Sequence, residues 1–138
     1  MGRCRITIYV AAMILVSCAI SAQAGRFMGI GDLPGSSFRS NAYAISADGR
    51  YVVGESEAVQ SSVGTRPFRW SRETGVMENL YNSTPWTGSG EAFAVSADGS
   101  VVIGPVSWPQ EEAFRWTSSG LSYIGDLPGG IYGAEGYA

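Results

Sequence analysis

The sequence contains no lysine and no histidine, so all nine of its cationic side chains are arginines. Lysine Schiff bases, histidine metal ligands and histidine acid–base catalysis are therefore excluded. The motifs also offer no set of nucleophile, base and orienting residue. We accordingly expect a protein that is not an enzyme, with no catalytic residues, no metal site and no cofactor.

Cysteine is scarce as well, and both cysteines, Cys4 and Cys18, lie in the first 24 residues. That segment has basic residues, then an apolar run from Ile6 to Ile20, then the small-residue motif AQA at 22–24. This order predicts a secretory signal peptide over residues 1–24, with cleavage before Gly25. A retained anchor helix is the alternative, although the apolar run is short for a bilayer span.

A second type of processing is open for the same segment. The sequence LVSC at 15–18 resembles a bacterial lipobox, in which the cysteine carries lipid and becomes the N-terminus, so Cys18 is a possible lipidation site. The protein is then lipid-anchored at a membrane face instead of free and secreted, extracellular or at the cell surface. In either case the processed chain has no internal disulfide, and its stability depends on packing.

An excess of positive charge and a long apolar run are both absent from the rest of the chain. Cleavage leaves seven arginines (nine minus Arg3 and Arg5) against twelve acidic residues, so no nucleic-acid partner is expected. No later run is long enough to cross a membrane as a helix, and no amphipathic helical stripe is sustained. With 19 glycines and 12% aromatic residues, the composition favours strands and turns.

Three motifs recur in a fixed order. AISADGRYVVG at 44–54 returns as AVSADGSVVIG at 94–104, FRW at 68–70 returns at 114–116, and IGDLPG at 30–35 returns at 124–129. Offsets of 50, 46 and 94 residues indicate a repeat of the length of a four-stranded blade. The predicted fold is all-β, with tandem four-stranded antiparallel blades in a partial β-propeller-like array.

Each repeat predicts four strands joined by short turns. The predicted strands are 42–46, 51–54, one through 68–70 and 76–80, then 93–96, 101–104, 113–116 and 121–124, with a fourth-strand-like segment at Phe27–Gly31 before them. Asp48 and Asp98 precede glycines and are expected to form turns, not catalytic or metal sites.

Aromatic residues and arginines alternate in the third strand of each repeat. Phe68 and Trp70, like their counterparts at 114 and 116, share one side of a strand and are expected to pack blade on blade. Arg69 and Arg115 point to the other side, where pairing with an acid or exposure to solvent is favoured over an anion clamp.

The succession GDLPG, AYAISADGRYVVGES, PFRW and GDLPGG resembles the HAF family of probable extracellular repeats. The resemblance covers nearly all of residues 26–138, and it implies an exported, bacterial, propeller-like β-structure without assigned catalytic residues. The chain departs from the pattern at residues 81–91, where YNSTPWTGSGE replaces the expected turn, and at Pro105, which puts the end of that strand in doubt.

Residues 25–138 hold about two complete four-stranded units plus partial ends. A closed propeller typically needs four to eight blades, so we expect a truncated product, a fragment of a larger propeller, or an assembly that borrows blades from other copies. Two blades alone leave apolar faces and open edges, which predicts weak stability or self-association.

The leading functional hypothesis is a non-catalytic binding or surface interaction module for an unknown protein or glycan partner. Its loops, such as 56–65 and 81–91, supply the surface, and the candidate binding residues are Trp86 and Trp108. Two alternatives remain: part of a propeller-type enzyme resembling a sialidase or lyase, or a purely structural surface or passenger protein.

Overall fold

The computed structural model describes residues 27–34, 38–58, 64–81, 88–107, 111–125 and 128. Within these residues the chain is all-β, with eight strands and no helix. The first sheet contains β1 (Ser40–Ile45), β2 (Tyr51–Glu57), β3 (Thr65–Ser71) and β4 (Met77–Asn79). The second sheet contains β5 (Ala94–Val95), β6 (Val102–Val106), β7 (Glu112–Thr117) and β8 (Gly120–Tyr123).

Each sheet is an antiparallel meander in which every strand pairs with the next one along the chain. The register is equivalent in the two sheets, since Val53 faces Arg69 and Ile103 faces Arg115. The two antiparallel four-stranded units predicted from the repeat are therefore confirmed. The described strands form two separate sheets and do not close into a barrel or a ring.

The strand predicted at Phe27–Gly31 is wrong, because residues 27–33 have no strand structure. A strand requires a neighbouring backbone to pair with, and residues 27–33 form no ladder with the strands of the first sheet. Side chains of the first sheet hold it instead: Ser56 Oγ accepts a hydrogen bond from Leu33 N at 3.1 Å, and Ser40 Oγ donates one to Gly31 O at 2.9 Å. The fifth strand is also shorter than predicted, at Ala94–Val95.

The Asp-Gly turns have the same hydrogen bonds in both sheets. The Asp48 carboxylate accepts bonds from Ser46 Oγ at 2.6 Å and Arg50 N at 3.0 Å. The Asp98 carboxylate accepts from Ser96 Oγ at 2.7 Å and from Ser100. The following glycines take φ of 69° and 75°, which side chains other than glycine adopt only with strain. Both aspartates are thus turn-formers, as the sequence predicts.

The glycine that ends each VVG or VIG motif is required by close backbone approach. A Cβ at Gly54 would collide with the carbonyl oxygen of Asn41, and a Cβ at Gly104 would collide with that of Glu91. Each glycine therefore lets the preceding segment lie directly against the second strand of its sheet. This explains why the motif ends in glycine although neither residue has a positive φ.

The buried residues form two clusters. The larger lies between the sheets and includes Val53 and Leu80 from the first repeat with Phe114 and Trp116 from the second. The smaller contains Phe68, Trp70 and Leu33. Both Phe-x-Trp pairs are therefore buried, but only the second pair is buried by a neighbouring sheet.

Replacing either motif glycine is expected to destabilise the fold. We expect Gly54→Ala and Gly104→Ala each to lower the free energy of unfolding by about 1–3 kcal/mol, because the new methyl group displaces a backbone carbonyl. Urea unfolding measures this. Gly29→Ala is the matched control, since its Cβ would meet nothing within 4 Å, and equal losses in all three variants would contradict the explanation.

Lowering the pH is expected to weaken the turn at Asp98. Hydrogen bonds from Ser96 and Ser100 lower the pKa of Asp98 from 3.8 to about 2. Because the folded pKa is depressed, this stabilisation is present above the unfolded value and is lost as the pH falls through about 2. NMR titration of the side-chain carboxyl group checks the value, and Ser96→Ala should raise it. An unchanged midpoint in that variant would contradict the assignment.

Candidate functional site

The two sides of each sheet carry different chemistry. We call the side with the arginine of β3 or β7 the arginine face and the side with the Phe-x-Trp pair the aromatic face. The register places Ala44, Val53 and Arg69 on the arginine face of the first sheet. It places Val95, Val102 and Trp116 on the aromatic face of the second sheet. These two faces pack together in the larger cluster.

Arg69 is the polar centre of this interface. Its guanidinium lies over the rings of Tyr51 and Trp116, at 4.8 and 4.4 Å from their centroids. It also donates hydrogen bonds to Gly99 O at 2.9 Å and to Glu78 Oε2 at 3.0 Å. The predicted pairing of this arginine with an acid is confirmed, and the cation also joins the two sheets. Such stacking is stabilising where the cation is partly desolvated.

Two further aromatic contacts join the two repeats. The Tyr81 ring meets the Phe114 ring edge-on at a centroid distance of 6.0 Å, and the Tyr43 ring meets Phe93 at 5.2 Å. Backbone contacts add to them, since Asp48 N donates to Ala97 O at 3.2 Å and Ala92 N donates to Gly54 O at 3.3 Å. The interface therefore extends from the turns to the start of the second sheet.

A polar cluster of Asn41, Tyr43, Glu55 and Glu91 lies at one end of this interface. Glu55 as a residue is only 6% exposed, and its carboxylate accepts hydrogen bonds from Asn41 Nδ2 at 2.8 Å and Tyr43 Oη at 2.9 Å. Burial raises the pKa of Glu55, but hydrogen bonds from Thr65 and these two residues outweigh it, so the pKa is below its ordinary value. Burial and the Glu55 charge raise the pKa of Glu91.

The phenol in this cluster is held protonated. Burial and the Glu55 carboxylate raise the pKa of Tyr43 to about 12, so it donates a hydrogen bond and is a weak nucleophile at neutral pH. The cluster pairs an ionised carboxylate with a second, more easily protonated one, which is an arrangement that acid–base chemistry can use. Sequence reasoning missed these residues, because a β-bulge between Ala42 and Ala44 brings Tyr43 to Glu55.

A cleft of about 300 Å³ opens between the sheets near Trp116. Glu78, Asn79 and Leu80 line one wall, and residues 116–120 line the other. Its size is at the lower end of the range for small-ligand pockets, and its walls are hydroxyl-bearing and acidic. Within the described residues, no group of histidine, cysteine and acidic side chains is arranged to hold a metal ion.

The arginine face of the second sheet is open. Ile103 is half-buried, Arg115 is exposed and Ile124 is 59% exposed. Three ion pairs form among the described side chains, and none of them includes Arg115. The solvent exposure favoured for this arginine is confirmed. The same repeat position is therefore an interface residue in the first sheet and a surface residue in the second.

Several sequence-predicted sites fall outside the described part of the chain. The candidate binding residues Trp86 and Trp108 and the possible lipidation site Cys18 are all among these positions, as is the predicted signal peptide. In the described ranges, no helix is long and apolar enough to span a bilayer.

Comparison of the chain with protein-family models, with curated proteins and with solved structures found no match.

Replacing the two equivalent arginines by alanine is expected to destabilise the fold at position 69 and to have little effect at position 115. Arg69→Ala should lower the free energy of unfolding by about 1–3 kcal/mol, because two ring contacts and two hydrogen bonds are lost together. Arg115→Ala is the matched control and should change it by less than about 0.5 kcal/mol. Chemical denaturation at low protein concentration measures both. Similar losses in the two variants would refute the assigned role of Arg69.

Proposed function

We propose that this chain is an exported bacterial repeat protein whose sheets stack as blades of a propeller-like array and which acts as a non-catalytic binding or surface interaction module. The repeated motif order supports the array, as does the face-to-face packing of two equivalent sheets. The resemblance to the HAF repeats supports the extracellular address. In this proposal residues 25–138 form the repeat region, and export follows either signal cleavage or lipidation at Cys18.

The observation that carries the proposal is the open arginine face of the second sheet. A side that is covered in the first sheet is presented to solvent in the second, with apolar Ile103 and Ile124 beside the cationic Arg115. Exposed apolar surface next to polar groups is typical of interaction sites. Trp86 and Trp108, which lie outside the described residues, are proposed to take part in contacts with a protein or glycan partner.

A second candidate function rests on the polar cluster. Two carboxyl groups with oppositely shifted pKa values beside a tyrosine are compatible with one part of a propeller-type enzyme that acts on glycans, of the sialidase or lyase kind. The binding function is preferred because the Glu55 carboxylate is buried and already accepts hydrogen bonds from within the first sheet.

Paired variants distinguish the two functions. We expect binding to a panel of sialylated and uronate-containing glycans, or to intact bacterial cells, to survive Glu55→Gln with Glu91→Gln. Trp86→Ala with Trp108→Ala should weaken that binding about tenfold or more, since truncated aromatic anchors typically carry interface energy. Glycan arrays and flow cytometry measure binding, and mass spectrometry measures cleavage. Glycan cleavage that disappears in the Glu55→Gln variant would establish the enzyme instead.

A further inference from the structure

Equivalent positions on the two arginine faces differ sharply in exposure. Leu80 is 1% exposed in the interface, whereas Ile124, the residue after the last strand of the second sheet, is 59% exposed. The Arg69 side chain is 20% exposed, and Arg115 is exposed in the burial pattern of its strand. The second sheet therefore presents the same kinds of residue that the first sheet uses to bind it.

The aromatic face of the first sheet shows the complementary difference. In the second sheet Val95 packs into the inter-sheet cluster. Its equivalent in the first sheet, Ile45, pairs with Val52 on the aromatic face and is 62% exposed. Part of this face thus lacks the neighbour that its counterpart has. The two open faces are the two halves of the interface that the chain already forms internally.

A strap, defined as residues 27–34, covers the rest of the aromatic face of the first sheet. Ile30 and Leu33 pack with Phe68 and Trp70, much as Leu80 and Tyr81 pack in the cluster around Phe114. The strap contains the motif IGDLP, which begins again at Ile124. The exposed Ile124 and the half-buried Ile30 of the strap therefore begin the same local sequence.

We propose that a second copy of this chain docks head to tail, with the arginine face of its second sheet on the aromatic face of the first sheet. In this assembly Ile124 takes the place that Ile30 of the strap has on that face. Arg115 reaches Trp70 and the carbonyl oxygen of Gly49, the equivalents of the Trp116 and Gly99 contacts of Arg69. The inference rests on the proposed stacking function and names one partner for it.

Such docking joins different surfaces on the two copies. Heterologous contacts of this kind close into a ring if the rotation between copies allows it, and otherwise extend as a filament. The strap limits the process, because it must leave the aromatic face before another copy binds there. The bound strap therefore lowers the association constant between copies, and a variant with a weakened strap is expected to associate more strongly.

Sedimentation velocity over a concentration series tests the proposal on the full chain as processed and exported by a bacterial host. The expected result is concentration-dependent association of the native chain. Arg115→Glu and Ile124→Asp should each weaken it about tenfold or more, as expected for residues central to an interface. Arg72→Glu makes the same charge change at an exposed turn residue outside both faces and should have no effect.

Leu33→Ala is the opposing variant. It loosens the strap and should strengthen association, and adding Arg115→Glu should reverse that gain. Circular dichroism confirms that the variants keep their β-structure. A chain that stays monomeric in both the native and Leu33→Ala forms would overturn the proposal, as would association that Arg115→Glu and Ile124→Asp leave unchanged. Glycan or cell binding by such a monomer would retain the proposed function and assign the open face to a different partner.

Discussion

The packing of this protein depends on covering the Phe-x-Trp pair of each sheet. A four-stranded meander pairs the backbones of its neighbouring strands, but it leaves one aromatic side without a partner. Phe114 and Trp116 are buried at 0% and 5% exposure because the first sheet lies against them. Phe68 and Trp70 are buried at 0% and 6% because the strap of residues 27–34 covers them. Wide aromatic surfaces dominate burial energies, so these contacts organise the remainder of the fold.

The arginine beside each aromatic pair shows how one repeat position serves two purposes. A cation in an apolar interface is costly unless its charge and hydrogen-bond donors are satisfied. Arg69 meets that requirement through two rings, a carbonyl oxygen and the Glu78 carboxylate. Arg115 remains in solvent, where hydration satisfies it. The repeat thus supplies a side chain that stabilises the interface where another sheet packs on it and is hydrated where none does.

The repeat pattern predicted much of the fold but little of the candidate site. The order of eight strands and the turns at Asp48 and Asp98 follow from residues only a few positions apart. The predicted strand at Phe27–Gly31 is wrong because strand formation depends on a pairing partner, which the segment itself does not specify. The polar cluster around Glu55 was missed for a related reason: a bulge at Ala42 to Ala44 and the approach of Glu91 from the second repeat create it.

The sequence by itself determined the turn chemistry, the alternation of aromatic and arginine side chains and the spacing of the repeats. These features depend on local geometry, since a strand alternates its side chains and an Asp-Gly turn closes a hairpin wherever it occurs. Only the tertiary structure decided which faces are buried. Arg69 and Arg115 have the same local sequence, yet one is enclosed and the other is open, because exposure depends on whether another sheet packs on that face.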